Sequence, residues 1–407
     1  MNTLLQINTV VNFGSTGRII NELSQTSIKN DWNSYIAYGR NDQTPQTGLI
    51  RIGSNWDVNL HGLKTRLFDR HGLGSRNATI NFCKQIDELK PDIIQLHNLH
   101  GYYINIEVLF NYLVLKNIQV VWTFHDCWPL TGHCVYFDVI GCEKWKTECG
   151  HCPQTKEYPA SFGLDRSQQN FHHKKELFTT LKNLTVVPVS RWLENIVKQS
   201  YFAGFPMQVI SNGIDMDIFR PLQEAYIRKK YRLENKFIIL GIASIWSLHK
   251  GLNDFVELSR KLESGDQIIL VGLTKIQIKT LPSNIIGIER TNDIQELVAL
   301  YSDADVFINP SLEETFGLTT VEALACGTPT IVFNATASPE LVVQETGFVV
   351  EKGDIQGLIH VIKTIKTKGK NSYSSACVER AKKLYNKDDR YMDYLKLYES
   401  ILKTHHV

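Results

Sequence analysis

The chain has 407 residues, 43% of them hydrophobic and 21% charged, which fits two domains that each bury a core of their own. A formal net charge of +2 excludes a bulk nucleic-acid binder, since no electrostatic footprint is present. Local basic patches can still meet an anionic membrane. The start, MNTLLQINTVVNFGSTG, lacks the basic region, apolar core and cleavage site of a secretory signal. No apolar run reaches the roughly 18 residues that span a bilayer. A cytoplasmic protein is expected, with its eight cysteines reduced.

The run TLLQINTVV reads as the first strand. It leads into Gly14-Ser15-Thr16-Gly17-Arg18, where the glycines permit a tight turn and the opening of a helix can approach a phosphate. A plain strand-to-helix turn would look the same. SYIAYG, DIIQLHN, VVWTFHD and LTVVPVS continue the strand series. Two of these runs end in His97-Asn98 (with His100 close behind) and in His125-Asp126. Ligands of open α/β sheets bind outside the carboxyl ends of strands, so these residues are candidates for an acceptor pocket. A structural histidine is the alternative for His125.

Between these strands, 133-HCVYFDVIGCEKWKTECGHC-152 carries Cys134, Cys142, Cys149 and Cys152. Four thiols this close in a reducing compartment fit a closed, structural zinc or iron site that would pin an insertion over about 127–155. His133 and His151 are substitute ligands, and Cys127 is a nearby fifth thiol. Buried free or redox-sensitive cysteines are the other reading.

In the second half MQVISNG, FIILGIA, QIILVG, IIGIE, VFINPS and PTIVF read as strands. Nearly continuous apolar runs separated by helical patterns indicate buried parallel strands in βαβ repetition, hence two doubly wound α/β sheets. The expected domains are 1–190 and 207–384. The tail forms a helix over about 386–407, with Tyr391, Tyr394, Leu395, Tyr398 and Leu402 at helical spacing, and is expected to pack back on the first domain.

The stretch 309-NPSLEETFGLTTVEALACGTPTIVF-333 reads as strand end, loop, helix, turn and strand. Gly317 allows a close backbone approach. The N–H groups that open the helix, near Leu318, suit a diphosphate. Glu314 stands in the loop and Glu322 inside the helix, and carboxylates accept hydrogen bonds from paired sugar hydroxyls. Taken singly, each could be a dipole-complementing or solvated charge.

This pattern resembles the E-x7-E motif of the family-4 retaining glycosyltransferases, which have the GT-B fold. Asn212-Gly213-Ile214-Asp215 with Phe219 and Pro221, 241-GIASIWSLHKGL-252 and 301-YSDADVFINPS-311 extend the likeness. The run HDCWPLTGHCVYFDVIGC is similar to a subset of bacterial polysaccharide glycosyltransferases of the colanic-acid type. The resemblance implies two Rossmann-like domains with parallel sheets facing across a cleft. It implies that Glu314 contacts the donor sugar, that Phe316, Gly317 and Leu318 offer N–H groups to the diphosphate, and that Glu322 binds the ribose. Lys250 would neutralise the departing diphosphate, where electrostatic stabilisation is worth most. The Arg that many relatives carry before this Lys is absent, and Ala243, Ser244 and Ile245 stand there. Ser244 and His249 remain candidates at the phosphates, and Arg290 either compensates or falls where relatives contact the base. His125 would contact the donor sugar or shape the acceptor site, with the Gly14–Arg18 loop near the reacting sugar.

The activity so implied is transfer of a hexose from a nucleotide-diphosphate sugar to a glycan acceptor, expected to be lipid-linked, at the inner membrane face. It belongs to capsule, exopolysaccharide or O-antigen synthesis. Without an Asp-x-Asp motif, no catalytic metal is expected. A nucleotide-sugar epimerase and a non-catalytic sugar-nucleotide sensor are the alternatives.

Overall fold

The computed structural model describes residues 1–41 and 48–405. The chain divides into two compact units. The first gathers Met1–Ile210 with the C-terminal stretch from Tyr391, and the second is Ser211–Arg390.

The first unit holds β1 (Thr3–Val10), β2 (Asn33–Arg40), β3 (Leu49–Arg51), β4 (Ile93–Leu96), β5 (Gln119–Phe124) and β6 (Leu184–Pro188). They form one parallel sheet in the order β3-β2-β1-β4-β5-β6. The chain starts in the middle and works outward both ways, so the order reverses between β1 and β4, the place where such sheets open a crevice for ligands. Phe110, Trp122, Phe124, Phe178 and Phe202 pack edge and face against one another in its core.

The second unit repeats the plan with β7 (Phe237–Ile242), β8 (Asp266–Val271), β9 (Ile285–Ile288), β10 (Val306–Asn309), β11 (Thr330–Phe333) and β12 (Gly347–Val350). Its parallel order is β12-β11-β10-β7-β8-β9, with the reversal between β7 and β10. Every residue of β10 and β11 is buried, as a strand covered on both faces must be. The two doubly wound parallel sheets read from the sequence are therefore present.

Two short strands escape sequence reading. β3 has three residues, too few to show a period. β12 opens on Gly347, where a Cβ would stand 1.9 Å from the Thr330 carbonyl oxygen, so glycine sets its register. One expected strand is corrected. MQVISNG does not join the second sheet. Gln208 and Ile210 donate N–H groups to Val186 and Pro188 along the outer edge of β6, with an isolated bridge at Met207. An open edge on β6 is thereby covered.

The last helix, Lys387–His405, buries Tyr391, Tyr394, Leu395 and Tyr398. Within the first unit the Tyr391 hydroxyl donates to Glu22 at 2.7 Å, Tyr394 meets Thr123 Oγ1 at 3.2 Å, and Tyr398 donates to Gln95. Buried hydroxyls need such partners.

Candidate active site

In the second unit the loops that follow β7 and β10 are fastened together. Gly251, at φ +75°, lies so close to Pro310 that a Cβ would be 2.5 Å from its Cγ. Next to it, Leu312 N–H donates to the His249 carbonyl at 2.8 Å. This approach aligns an ion pair and a hydrogen bond across the seam. Lys250 Nζ donates to Glu314 Oε1 at 2.6 Å, and His249 Nδ1 donates to Glu313 Oε2 at 3.0 Å. The Lys250 and Glu314 side chains are 33% and 18% exposed, so solvent reaches both. Glu313 is buried. Glu314 is also held by its backbone, its N–H donating to Thr336 Oγ1 at 2.8 Å and its carbonyl accepting from Ala337 N–H.

The loop then turns into the helix Leu318–Ala325 through Gly317, at φ +98°, with no side-chain cap. Asn309, at the end of β10, ties both sides of the turn. Its Nδ2 donates to Thr320 Oγ1 at 3.1 Å and its Oδ1 accepts from Ser311 N–H. Thr320 and Val321 N–H turn back to the Gly317 carbonyl, while the N–H groups ahead of them have no partner within the helix and carry the positive end of its dipole. Phe316 is buried, its ring edge-on to Tyr385 at 5.6 Å. Glu322 is 3% exposed, and its Oε2 accepts the Tyr301 hydroxyl at 2.8 Å. Ser244 and Arg290 are exposed at the carboxyl ends of β7 and β9. The seam thus brings together Lys250, His249, Glu314 and the helix entry. Arg290 stands two strands from β7, on the order of 10 Å across the sheet.

In the first unit, Asn12 and Gly14 both take left-handed backbone, and Asn12 N–H closes on the Gly17 carbonyl at 3.2 Å. This bends the chain from β1 into the helix Gly14–Lys29. Ser15 and Arg18 are exposed, Thr16 half-buried, and Gly17 is packed against the Val11–Asn12 backbone. His97 and His125 follow β4 and β5 and stack with ring centroids 5.3 Å apart. Gln6 Oε1 can only accept, so His97 Nε2 carries the hydrogen it donates there at 3.2 Å. Neutral His97 must then accept at Nδ1, which receives His125 Nε2–H at 3.0 Å. Gln6 Nε2 passes the chain to the Ile20 carbonyl. Burial pushes His125 down to about 4 and His97 well below the usual imidazole range, His125 adding to the second effect. Asn98 is held through its N–H by Asn8 and through its carbonyl by Thr9 and Tyr103.

Beside this pair His100 and Asp126, both expected at this edge, meet residues that the sequence motifs did not reveal. His100 Nε2 meets Asp126 Oδ2 at 2.6 Å and its Nδ1 meets the Tyr158 hydroxyl at 3.0 Å. Burial works to raise Asp126, yet His100 and the Trp128 N–H hold its carboxyl below the ordinary value. His71, Tyr102, Tyr158 and Trp128 crowd round it, the His71 ring 5.0 Å from Tyr102 and 5.4 Å from Trp128. His61 accepts the N–H groups of Gly72 and Gly74 at Nε2, so it is neutral, and burial pushes it down to about 3. Lys174 lies 3.5 Å over the Trp128 ring and donates to the carbonyls of Trp128 and Thr131. These residues come from stretches more than a hundred positions apart, so no spacing announces them.

The expected four-thiolate metal site finds no support among the described residues. Cys134, Cys142, Cys149 and Cys152 do line one small cavity with His133. Among the described residues, however, no group of three or more His, Cys, Asp or Glu side chains is arranged to hold a metal ion. The ligand atoms are engaged with protein instead. Cys134 and Cys152 hydrogen-bond to each other, Cys149 Sγ accepts Gly132 N–H at 3.3 Å, and His133 Nδ1 meets Asp69 at 2.7 Å. Stacking of Phe137 on Trp145, centroids 4.7 Å apart, helps to fix the insertion.

Residues 236–367 match the family described as glycosyl transferases group 1. Over 376 residues the chain is 24% identical to the putative colanic acid biosynthesis glycosyl transferase WcaC of Escherichia coli K12, covering 88% of this chain and 90% of that one. Among solved structures it is similar to sucrose-phosphate synthase of Thermosynechococcus elongatus (TM-score 0.73, 17% identity, 99% and 100% coverage). It is also similar to HepE of Anabaena in complex with UDP-glucose (TM-score 0.68, 16% identity, 98% and 99% coverage). The two six-stranded parallel sheets make this the GT-B fold, and the stretch that matches the group 1 glycosyltransferases, residues 236–367, holds the Lys250–Glu314 seam.

Proposed function

We propose that the protein is a family-4-type retaining hexosyltransferase. It moves a hexose from a nucleoside diphosphate sugar to a lipid-linked glycan acceptor at the inner face of the cytoplasmic membrane, in the assembly of a bacterial surface polysaccharide. The observation that carries this reading is the Lys250–Glu314 pair, beside the helix opened by Gly317 at the switch point of the second sheet. The HepE structure with UDP-glucose supports a sugar-nucleotide donor, and the likeness to WcaC supports a polysaccharide product.

In the reaction the bond from the anomeric carbon to the diphosphate oxygen breaks and a bond to the acceptor hydroxyl oxygen forms. The hydroxyl proton passes to the leaving phosphate oxygen on the same face of the sugar. Lys250 and the N–H groups of Phe316, Gly317 and Leu318 take the charge that gathers on the diphosphate. Glu314 exchanges its lysine for sugar hydroxyls, and Glu322 serves the ribose. His249 and Ser244 stand by the phosphates and Arg290 by the base. In the first unit His125, His97, Asn98 and the Gly14–Arg18 loop form the acceptor side. His125 and His97, both neutral, offer hydrogen bonds and no charge.

A thermal-shift panel of UDP-, GDP-, ADP- and dTDP-hexoses identifies the donor, because a ligand that binds the native state raises the melting temperature. With that donor, slow hydrolysis is expected, releasing sugar of unchanged anomeric configuration. Glu314→Ala should abolish it. A folded protein that binds the donor and neither hydrolyses nor transfers it would overturn the enzyme reading in favour of a sensor.

A further inference from the structure

The helix Asn55–Phe68 in the first unit is amphipathic the wrong way round for a core helix. Its inward residues are His61, Gly62 and Thr65, all buried. Its outward residues are large and apolar: Trp56 is 84% exposed, and Leu60, Leu63, Leu67 and Phe68 are about half exposed. At ~100° per residue, Trp56, Leu60, Leu63 and Leu67 fall within about 60° of arc and form one stripe. Lys64 and Arg66 lie about 80° to either side of it, both exposed. The apolar surface continues past the helix. Phe162 N–H donates to the Arg66 carbonyl at 2.8 Å, and Gly163 is packed against the Leu67 carbonyl. The exposed side chains of Phe162 and Leu164 are thereby set next to the end of the stripe. Arg70 and Arg76 are exposed just beyond. The carboxylates of this stretch are spent elsewhere. Asp57 closes the capping box with Ser54, and Asp69 is buried against His133 and Arg166 N–H.

We infer that this face is an interfacial membrane anchor: the Trp56–Leu67 stripe with Phe162 enters the headgroup region of an anionic bilayer while Lys64, Arg66, Arg70 and Arg76 hold the lipid phosphates. Charge selects this occupant. An apolar stripe rimmed by cations on both sides complements anionic lipid. A second copy of the chain docked face to face would set the same cations against each other. Among the described residues no helix is long and apolar enough to cross a membrane, so the contact is one of lying on the surface. The inference deepens the lipid-linked acceptor reading above, and it can be tested without any sugar nucleotide.

The test is co-sedimentation of the full chain with vesicles of phosphatidylcholine alone or mixed with an equal part of phosphatidylglycerol, at low and high salt. Binding is expected to the anionic vesicles, weakened by salt, with a blue shift of tryptophan emission. The double substitution Leu60→Glu with Leu67→Glu should weaken it about tenfold or more, and Lys64→Gln with Arg66→Gln should remove most of the salt dependence. Donor hydrolysis by both variants should match the parent, so loss of anchoring is distinguishable from failure of the enzyme reading. Trp56→Ser, at the most exposed position, serves as a second apolar variant should the glutamates disturb folding. Equal binding to neutral and anionic vesicles, or binding that none of these substitutions changes, would overturn the proposal. So would a dimer in solution that the leucine substitutions convert to monomer.

Discussion

At the carboxyl edge of the second sheet a charged pair, Lys250 on Glu314, is partly wet, and His249 is hydrogen-bonded to Glu313 beside it. At the same edge of the first sheet they are imidazoles, buried and neutral, in the chain from His125 through His97 to Gln6. Both sheets have six parallel strands laid down from the middle outward, so the scaffold does not dictate the difference. The loops do. In the second unit two glycine-bearing loops close on each other and leave a charged seam facing solvent. In the first unit, aromatic side chains cover the edge and drive water out, and only uncharged tautomers with complete hydrogen bonding are comfortable there. A charged seam can exchange its partners for a diphosphate and a sugar. A dry histidine chain can only position.

The sharpest way to break this comparison is to discharge the seam. Lys250→Ala should lower kcat of donor turnover by about 100- to 1000-fold, with the fold intact because the side chain is one-third exposed. Unchanged kcat would mean that the seam is structural. The next effect is acid. His61, His71, His97 and His125 have native pKa values below the unfolded value near 6.5, so the unfolded chain binds protons that the native first unit refuses. Their contribution is complete above about pH 6.5 and declines as pH falls toward 4, by about 1.4 kcal/mol per group per pH unit. Proteolysis at pH 5 should therefore cut the first unit well before the second, which holds only His249 and His360. Cleavage of both together would refute this asymmetry.

Closer to the seam, Gly251→Ala adds a Cβ at left-handed φ and against Pro310. A loss of about 2 kcal/mol in urea unfolding is expected, together with weaker donor binding, because the same contact aligns Lys250 with Glu314. The smallest effect is that of Tyr301→Phe. It removes one donor from buried Glu322 and should cost about 1 kcal/mol of stability. If Glu322 serves the ribose, donor affinity should fall as well.

The fold was legible because ten of the twelve strands among the described residues are apolar runs at regular intervals; the missing two are three and four residues long. The seam was legible as well. Glu314, Gly317 and Lys250 stand within short segments whose chemistry follows from residue type and a helix entry. That Lys250 would sit on Glu314 was not, since it depends on how closely Gly251 meets Pro310. The first unit was least legible. His100, Asp126, Tyr158, His71 and Lys174 converge only through the topology. The helix Asn55–Phe68 shows why periodicity alone is insufficient. The spacing of Trp56, Leu60, Leu63 and Leu67 defines a stripe, but spacing is blind to which side is wet.

The three tyrosine hydroxyls of the last helix reach partners 369, 271 and 303 positions earlier in the chain. Synthesis delivers those partners first and the tyrosines hundreds of residues later. The second unit, continuous from Ser211 to Arg390, is complete while the first still lacks the helix that closes its sheet. The first of these two units is thus completed after the second, and until then Gln95 and Thr123 lack their tyrosine partners.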